Sequence, residues 1–367
     1  MAKRETTPGK KSKPGKAGEA DRAKQRLAKL DNALLKALNE RAELFRELTG
    51  LHVLSPGQTI DEIESLVENN PGPLSANAVR SIFRELVSGS RELIAPRRVA
   101  YLGPVYSYSH IAAIDRFGQD VEFIPVATIA AVFEEVERKQ VDFGLVPIEN
   151  STDGRVADTL DMFTRVDVRI CGEVQLRIHH NLLGRSRRDE VKAVYSKPQA
   201  LSQCRDWLAL HLPDVRTHET TSTAAAAKHA AEKQGVAAVA SLKAAANYGL
   251  DVIAANIEDN RHNITRFAVI GHESASPTGK DKTSLMFQVL HQPGALAEAM
   301  NAIRRHELNL TWIESFPITG ARNEYLFFVE LEGHESDKNV QAVLEELGSK
   351  TISLTVLGSY AVTEVVE

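Results

Sequence analysis

Cysteine is nearly absent: Cys171 and Cys204 are the two thiols in 367 residues. So few exclude a disulfide framework and a cysteine-ligated zinc site, and they suit a reducing compartment. No apolar run approaches the roughly 20 residues that a membrane helix needs. Strong charge of either sign is missing as well. A formal net charge of −5 gives no reason to expect nucleic acid or an acidic membrane surface as a partner. The start is basic, with Lys3, Arg4, Lys10, Lys11, Lys13 and Lys16, but no apolar core follows it, so it is not a secretory signal. With Pro8, Gly9, Pro14 and Gly15, residues 1–19 read as a disordered tail. The expectation is a cytoplasmic globular protein, 43% hydrophobic and 25% charged. It is long enough for two to three domains of roughly 150 residues each.

What is present begins with helices. Leu27, Leu30, Leu34, Leu38, Phe45 and Leu48 recur at three- and four-residue steps, which predicts one long amphipathic helix ended by Gly50. A short helix follows over 60–68, then the breaker Asn70-Pro71-Gly72-Pro73. Ser75 caps a third helix with Val79, Ile82, Phe83, Leu86, Leu93 and Ile94 on its inner side. Three helices over 20–95 make a thin core that calls for a partner copy. Arg41 lies on the apolar stripe, where a charge is costly unless paired. It is either snorkelling from the stripe's edge or part of an anion site in the bundle.

From Val99 the pattern changes. Short β runs (Val99–Leu102, Val121–Val126, Phe143–Pro147) alternate with helices (130–138, 156–163, 224–231), which predicts an α/β domain over 98–272 with a largely parallel sheet. Such domains bind ligands at the carboxyl ends of strands, where helix N-termini offer free N–H groups. Hydroxyl-rich turns fall there: Ser107-Tyr108-Ser109, Glu149-Asn150-Ser151 and Thr221-Ser222-Thr223. In Asn263-Ile264-Thr265-Arg266-Phe267, a guanidinium fork able to grip a carboxylate stands beside a hydroxyl at the start of a strand. Phe267 reads as core. His179 and His180 read as structural, because adjacent strand positions point to opposite faces. After the linker Pro277-Thr278-Gly279-Lys280, residues 283–362 read strand, helix, strand, strand, helix, strand, a βαββαβ order.

The Thr265-Arg266-Phe267 and Glu149-Asn150-Ser151 pair, with Tyr195 to Cys204, is similar to the signature of prephenate dehydratases. The likeness runs from about Val99 to Gly271. It implies a two-lobed α/β fold like the periplasmic binding proteins, enclosing a cleft. It further implies Thr265 as the catalytic hydroxyl, with Arg266 holding a substrate carboxylate and Asn150, Ser151, Ser107, Ser109, Ser222 and Thr223 orienting the rest. The reaction, loss of carbon dioxide and hydroxide from prephenate to give phenylpyruvate, requires no metal or organic cofactor. One departure stands at the opening motif, Gly103-Pro104-Val105-Tyr106-Ser107-Tyr108-Ser109, where Tyr106 replaces a family glycine.

The flanking regions carry two further resemblances. The helical region resembles the all-α chorismate mutase domain of bifunctional enzymes, with Arg41 and Ser90 on family positions. Lys24 stands for an arginine, His52 for a lysine and Ile94 for a glutamine, while Gln58-Thr59 stands near an expected arginine-glutamate pair. Such a site lacks most of the electrostatics of a pericyclic catalyst. The last region resembles an ACT domain, a small-ligand sensor that works at a dimer interface. Its phenylalanine motifs appear as Gly294-Ala295-Leu296-Ala297 and Glu314-Ser315-Phe316-Pro317, with Phe316 in an arginine's place. The resemblances together imply a phenylalanine-regulated prephenate dehydratase, assembled as a homodimer or higher homo-oligomer. The alternatives are a fully bifunctional mutase-dehydratase and, from another class, a non-catalytic amino-acid sensor.

Overall fold

The structure, a computed structural model, describes residues 16–50, 63, 65–92, 97–317 and 325–366. The tail up to residue 15, His52, Gln58, Thr59, Leu93 and Ile94 lie outside the described residues. The chain divides into two units, at residues 1–53 and 54–367.

The first unit is one helix, α1 (Lys16–Gly50), as the leucine spacing predicts. The first part of its apolar stripe is open, with Leu27, Leu30 and Leu34 each more than half exposed, whereas Phe45 is buried.

In the second unit, helical residues at 65–68 are followed by α2 (Ala76–Glu92), capped by the Ser75 hydroxyl, which accepts from the Ala78 amide at 3.2 Å. The sequence groups this helix with α1. The structure ties it instead to the lobe that follows. Arg84 pairs with Asp115, and the Gln119 amide donates to Glu85 at 3.2 Å.

Lobe 1 is built on β1 (Arg98–Leu102), β2 (Glu122–Val126), β3 (Phe143–Asn150), β4 (Gly154–Arg155), β5 (Arg169–Arg177), β11 (Ile264–Gly271) and β16 (Val365–Val366). The sheet order is β16-β5-β11-β3-β1-β2, with β4 beside β3. The helices α3 (Tyr108–Phe117), α4 (Ile129–Glu137) and α5 (Ala157–Phe163) cover it. A largely parallel sheet was the expectation, and the sheet is mixed. β1 runs parallel to both β2 and β3, whereas β11 lies antiparallel between β3 and β5. The reason is topological. β11 enters lobe 1 from the other lobe, so it arrives at the end where β3 finishes.

Lobe 2 has the order β10-β6-β9-β7-β8, from β6 (Asn181–Gly184), β7 (Ala193–Ser196), β8 (Arg216–Glu219), β9 (Val236–Ala240) and β10 (Asp251–Ala254). Helices α6 (Pro198–Gln203), α7 (Arg205–His211), α8 (Thr223–Glu232) and α9 (Leu242–Tyr248) pack on it. β7, β8 and β9 are parallel, so the segments after them emerge at one edge.

Two crossings join the lobes, at residues 178–180 and 255–263. They bond to each other: the Ile257 amide donates to the His180 carbonyl at 2.7 Å, and the Ile178 amide to the Asn263 carbonyl at 2.8 Å.

The last region is a four-stranded antiparallel sheet in the order β13-β14-β12-β15, from β12 (Asp281–Gln288), β13 (Leu310–Pro317), β14 (Tyr325–Glu332) and β15 (Ser353–Ala361). Helices α10 (Ala295–Arg305) and α11 (Lys338–Lys350) complete the βαββαβ order. Leu285, Phe287, Val329 and Leu331 face the two helices in one core. The opposite face sends Phe328, Leu357 and Tyr360 into the core of lobe 1. Contact there is close enough to require glycine. At Gly358 (φ 147°) a Cβ would lie 2.1 Å from the Ile170 carbonyl oxygen of β5. No described helix is long and apolar enough to cross a membrane.

Candidate active site

The topology brings polar residues to one edge of lobe 1. Parallel β1 and β3 end there, at Leu102 and Asn150, and antiparallel β11 begins there, at Ile264. Thr265 is paired across the ladder with Asn150, and Arg266 with Glu149. Strand alternation then sets Thr265 and Asn150 on one face and Arg266 and Glu149 on the other.

On the front face, the Asn150 side chain has its orientation fixed by the backbone. Its Oδ1 accepts from the Thr152 amide at 2.9 Å and from the Asp153 amide at 3.1 Å. Its Nδ2 is therefore the donor, reaching Thr265 Oγ1 at 2.8 Å and Asn263 Oδ1 at 2.9 Å. Thr265 accepts from Asn150, which leaves the threonine's own hydrogen available for a ligand. Ser151 clamps the same corner: its Oγ donates to the His262 carbonyl at 3.0 Å and accepts from the Ile264 amide at 2.9 Å.

The polarity continues into lobe 2. Asn263 Nδ2 donates to Gln203 Oε1 at 3.0 Å, and Gln203 Nε2 donates to Asp153 Oδ2 at 2.7 Å. Gln199, one helical turn earlier, donates to the same carboxylate. With Gln203 Oε1 an acceptor, His180 Nε2 at 2.8 Å carries a proton toward it, while the Tyr108 hydroxyl donates to the His179 carbonyl at 2.7 Å and lies 3.0 Å from His180 Nδ1. Burial lowers the pKa of His180, with the Gln203 hydrogen bond partly opposing it, so the ring stays neutral. His179 turns the other way and bonds Glu258 Oε1 at 2.7 Å, while Glu258 Oε2 accepts the His180 amide at 2.9 Å. The histidine pair thus has the divergent faces expected of it, but His180 belongs to the polar network. Asn263, Gln203, Asp153 and Tyr108 lie within or beside the sequence motifs but received no role from the sequence. Gln199 and Gln203, four apart after a strand, were the available signal.

The remaining site candidates are helix starts. Ser107 caps α3, accepting from the His110 amide at 3.3 Å and donating to the Leu102 carbonyl at 3.1 Å. Ser222 caps α8, accepting from the Ala225 amide at 3.0 Å. Ser109 and Thr223 are buried in the first turns of those helices. Ser107 and Ser109 follow β1 beside the Asn150 edge, whereas Ser222 and Thr223 belong to the lobe 2 edge after β8.

Tyr106, which stands for a glycine, has φ 67°, a conformation that glycine adopts without strain. Its ring packs edge-on against Tyr248 of lobe 2 at 6.1 Å, and its amide donates to His110 Nδ1 at 3.1 Å.

The back face carries Arg266. Its guanidinium does not reach the Thr265 side. Nη1 donates to Glu149 at 2.9 Å, and Nη2 to Glu173 at 3.2 Å and to Glu330 of β14 at 2.6 Å. Trp312 of β13 lies 5.8 Å from the guanidinium carbon. Lys282 of β12 donates to Glu173 at 3.0 Å, and the Tyr360 hydroxyl to Glu330 at 3.1 Å. Burial pulls the Arg266 pKa down, and Glu330, Tyr360 and Glu173 more than offset it, so the net shift is upward. Three carboxylates thus hold its two Nη groups, while its buried Nε has no hydrogen-bond partner among the described residues.

Of the mutase-like residues, Lys24 is exposed on α1 and Arg41 stacks on Phe45 one turn later, at 5.9 Å. Ser90, in the other unit, donates to the Leu86 carbonyl of its own helix at 2.7 Å. Of the sensor motifs, Gly294 (φ 84°) precedes α10, and Glu314 and Ser315 point to opposite faces of β13.

Two α/β lobes joined by two crossings, with a polar network running from Thr265 to Gln203 between them, define a two-lobed α/β domain. Residues 99–275 match the family model of prephenate dehydratase. A bifunctional chorismate mutase/prephenate dehydratase of Aquifex aeolicus is 41% identical, over 93% of this chain and 98% of that protein. Among solved structures, the prephenate dehydratase of Arthrobacter aurescens in complex with L-Phe is 32% identical with a TM-score of 0.67, covering 72% of this chain and 90% of that one. GqqA, described as a quorum quenching acylase, is 28% identical with a TM-score of 0.66, covering 73% of this chain and 98% of that one. The chain belongs to the bifunctional chorismate mutase/prephenate dehydratase family.

Proposed function

We propose that lobe 1 and lobe 2 close on prephenate and convert it to phenylpyruvate, with Thr265 as proton donor to the departing hydroxyl. The observation that carries this reading is the polarity of the Asn150 amide. Because backbone N–H groups hold its oxygen, its nitrogen must donate to Thr265, which leaves the threonine hydrogen to be given to a ligand. A threonine hydroxyl is a weak acid, so it acts by hydrogen bonding as the ring aromatises and the carboxylate leaves as carbon dioxide. Gln203, Asn263 and Asp153 hold the two lobe edges in register. The hydroxyls and amides at the starts of α3 and α8 take the substrate's polar groups in place of Arg266.

The C-terminal sheet and its helices are read as an ACT-type sensor, with phenylalanine as effector at Gly294, Ala295, Leu296, Glu314 and Ser315. The L-Phe complex of the Arthrobacter relative supports this. The open leucine stripe of α1 needs cover, and a second copy of the chain supplies it in a homodimer or larger homo-oligomer. Residues 20–95 are read as a mutase-like region. Lys24, Arg41, His52 and Ser90 are its remaining polar candidates, and its location is the cytoplasm with the rest of the chain.

The test is a pair of assays on the full chain, with prephenate and with chorismate as separate substrates. Phenylpyruvate from prephenate supports the reading, and prephenate left untouched overturns it. Chorismate consumed as well establishes the bifunctional alternative.

A further inference from the structure

The strand carrying the sensor motif has two faces with different neighbours. Ser315 and Ile313 pair across to Phe327 and Val329, whose side chains belong to the core under α10 and α11. Glu314 and Phe316 pair to Phe328 and Leu326, on the face that packs against lobe 1. Glu314 therefore looks at the dehydratase lobe. What it meets there is Arg155, whose Nη1 donates to Glu314 Oε2 at 2.9 Å and to the Ser315 carbonyl at 3.0 Å.

Arg155 belongs to the hairpin that makes the active-site turn. β4 pairs with the end of β3, Gly154 with Asn150 and Arg155 with Glu149. Between those strands lie Thr152 and Asp153, whose amides set the Asn150 orientation. One guanidinium thus ties both a side chain and a carbonyl of the sensor strand to the turn that aims the Thr265 hydroxyl. The motif itself has Phe316 where an arginine would stand, so the cation beside Glu314 comes from the catalytic lobe.

We propose that Arg155 is the relay through which effector binding at β13 reaches the active site. This rests on the reading of phenylalanine as the effector. An effector seated against β13 at Glu314 and Ser315 shifts the strand that grips Arg155. The shift moves the β3–β4 turn, and with it the donor that orients Thr265. The neighbouring Arg266 cluster, buried and held by three carboxylates, is the fixed point about which this exposed link moves.

The experiment uses full-length Arg155→Met and Arg155→Lys, each checked by thermal melting. Phenylalanine binding is followed by tryptophan fluorescence, and prephenate turnover is measured with and without phenylalanine. The expectation for Arg155→Met is basal turnover and phenylalanine affinity within about twofold of the parent, with inhibition weakened about tenfold or more, within the usual range of allosteric coupling. Arg155→Lys restores part of the inhibition. Undiminished inhibition of Arg155→Met overturns the relay. So does loss of phenylalanine binding, which would make Arg155 a ligand contact. If Arg155→Met does not fold, Arg155→Gln takes its place, since it too removes the cation that bonds Glu314: unchanged inhibition overturns the relay and weakened inhibition supports it. If the parent chain neither binds nor responds to phenylalanine, the effector reading itself fails, an outcome distinct from these.

Discussion

The two faces of the β3–β11 ladder are made by neighbouring residues and have opposite electrostatic character. On the front, Asn150, Thr265 and Asn263 form a neutral, directional network that ends on a hydroxyl hydrogen with no partner among the described residues. On the back, one residue along each strand, Glu149 and Arg266 join Glu173, Glu330 and Lys282 in a buried ionic cluster shared with the C-terminal sheet. A neutral network sets a proton's direction without adding field. A closed ionic cluster sets position, because breaking it exposes uncompensated charge to a low-dielectric interior. Two motif residues that read as one device in the sequence therefore do two jobs.

The comparison can be broken from either side. The largest effect is expected on the front: Thr265→Val should lower prephenate kcat about 100-fold or more, in the range of general acid catalysis, with little change in melting temperature. On the back, Arg266→Met strands Glu173 and Glu330, and denaturant titration should show a loss of about 3–5 kcal/mol, as for a broken buried ion pair. Catalysis should fall in step with folded protein, while the KM of the folded fraction stays near that of the parent. Asn150→Ala leaves the Thr152 and Asp153 amides without their acceptor. It should cost about 1–3 kcal/mol of stability as well as most of the turnover, which makes it the one variant that hits both readouts.

Acidity probes the front network again. Burial depresses the pKa values of His180 and His110, with Lys243 adding to the effect at His110. In the unfolded chain each takes up a proton near pH ~6.5. Their contribution to stability is therefore complete above that pH and is lost as pH falls through the depressed folded values. Melting temperature should decline between about pH 7 and about pH 5, and less steeply in His180→Gln.

Much of this was legible in the sequence, and the misses share a physical cause. Periodicity located α1, the alternating strands and helices of lobe 1 and the βαββαβ order, because each is a local pattern. It did not reveal that α2 bonds to lobe 1 through Arg84 and Asp115, since ion pairs across the chain leave no period. The mixed sheet escaped for a similar reason, as strand direction is decided by where the crossing from lobe 2 re-enters. Thr265 and Arg266 were read as partners because they are adjacent, although strand alternation, applied to His179 and His180, separates them just as surely. At Tyr106 the sequence showed only a family glycine replaced by a bulky residue, and its φ of 67° accounts for the glycine. The smallest predicted effect follows there. Tyr106→Gly relieves about 1–2 kcal/mol of left-handed strain but forfeits ring contacts of about 0.5–1.5 kcal/mol, so stability should shift by less than about 1 kcal/mol on thermal or urea unfolding.

The most direct measurement is steady-state prephenate turnover of Thr265→Val and Arg266→Lys at a temperature where both are fully folded. The two-face account predicts that Thr265→Val loses nearly all kcat, while Arg266→Lys keeps its KM near the parent value. A Thr265→Val enzyme with parental kcat, or an Arg266→Lys enzyme whose KM rises about 100-fold with stability unchanged, would contradict it.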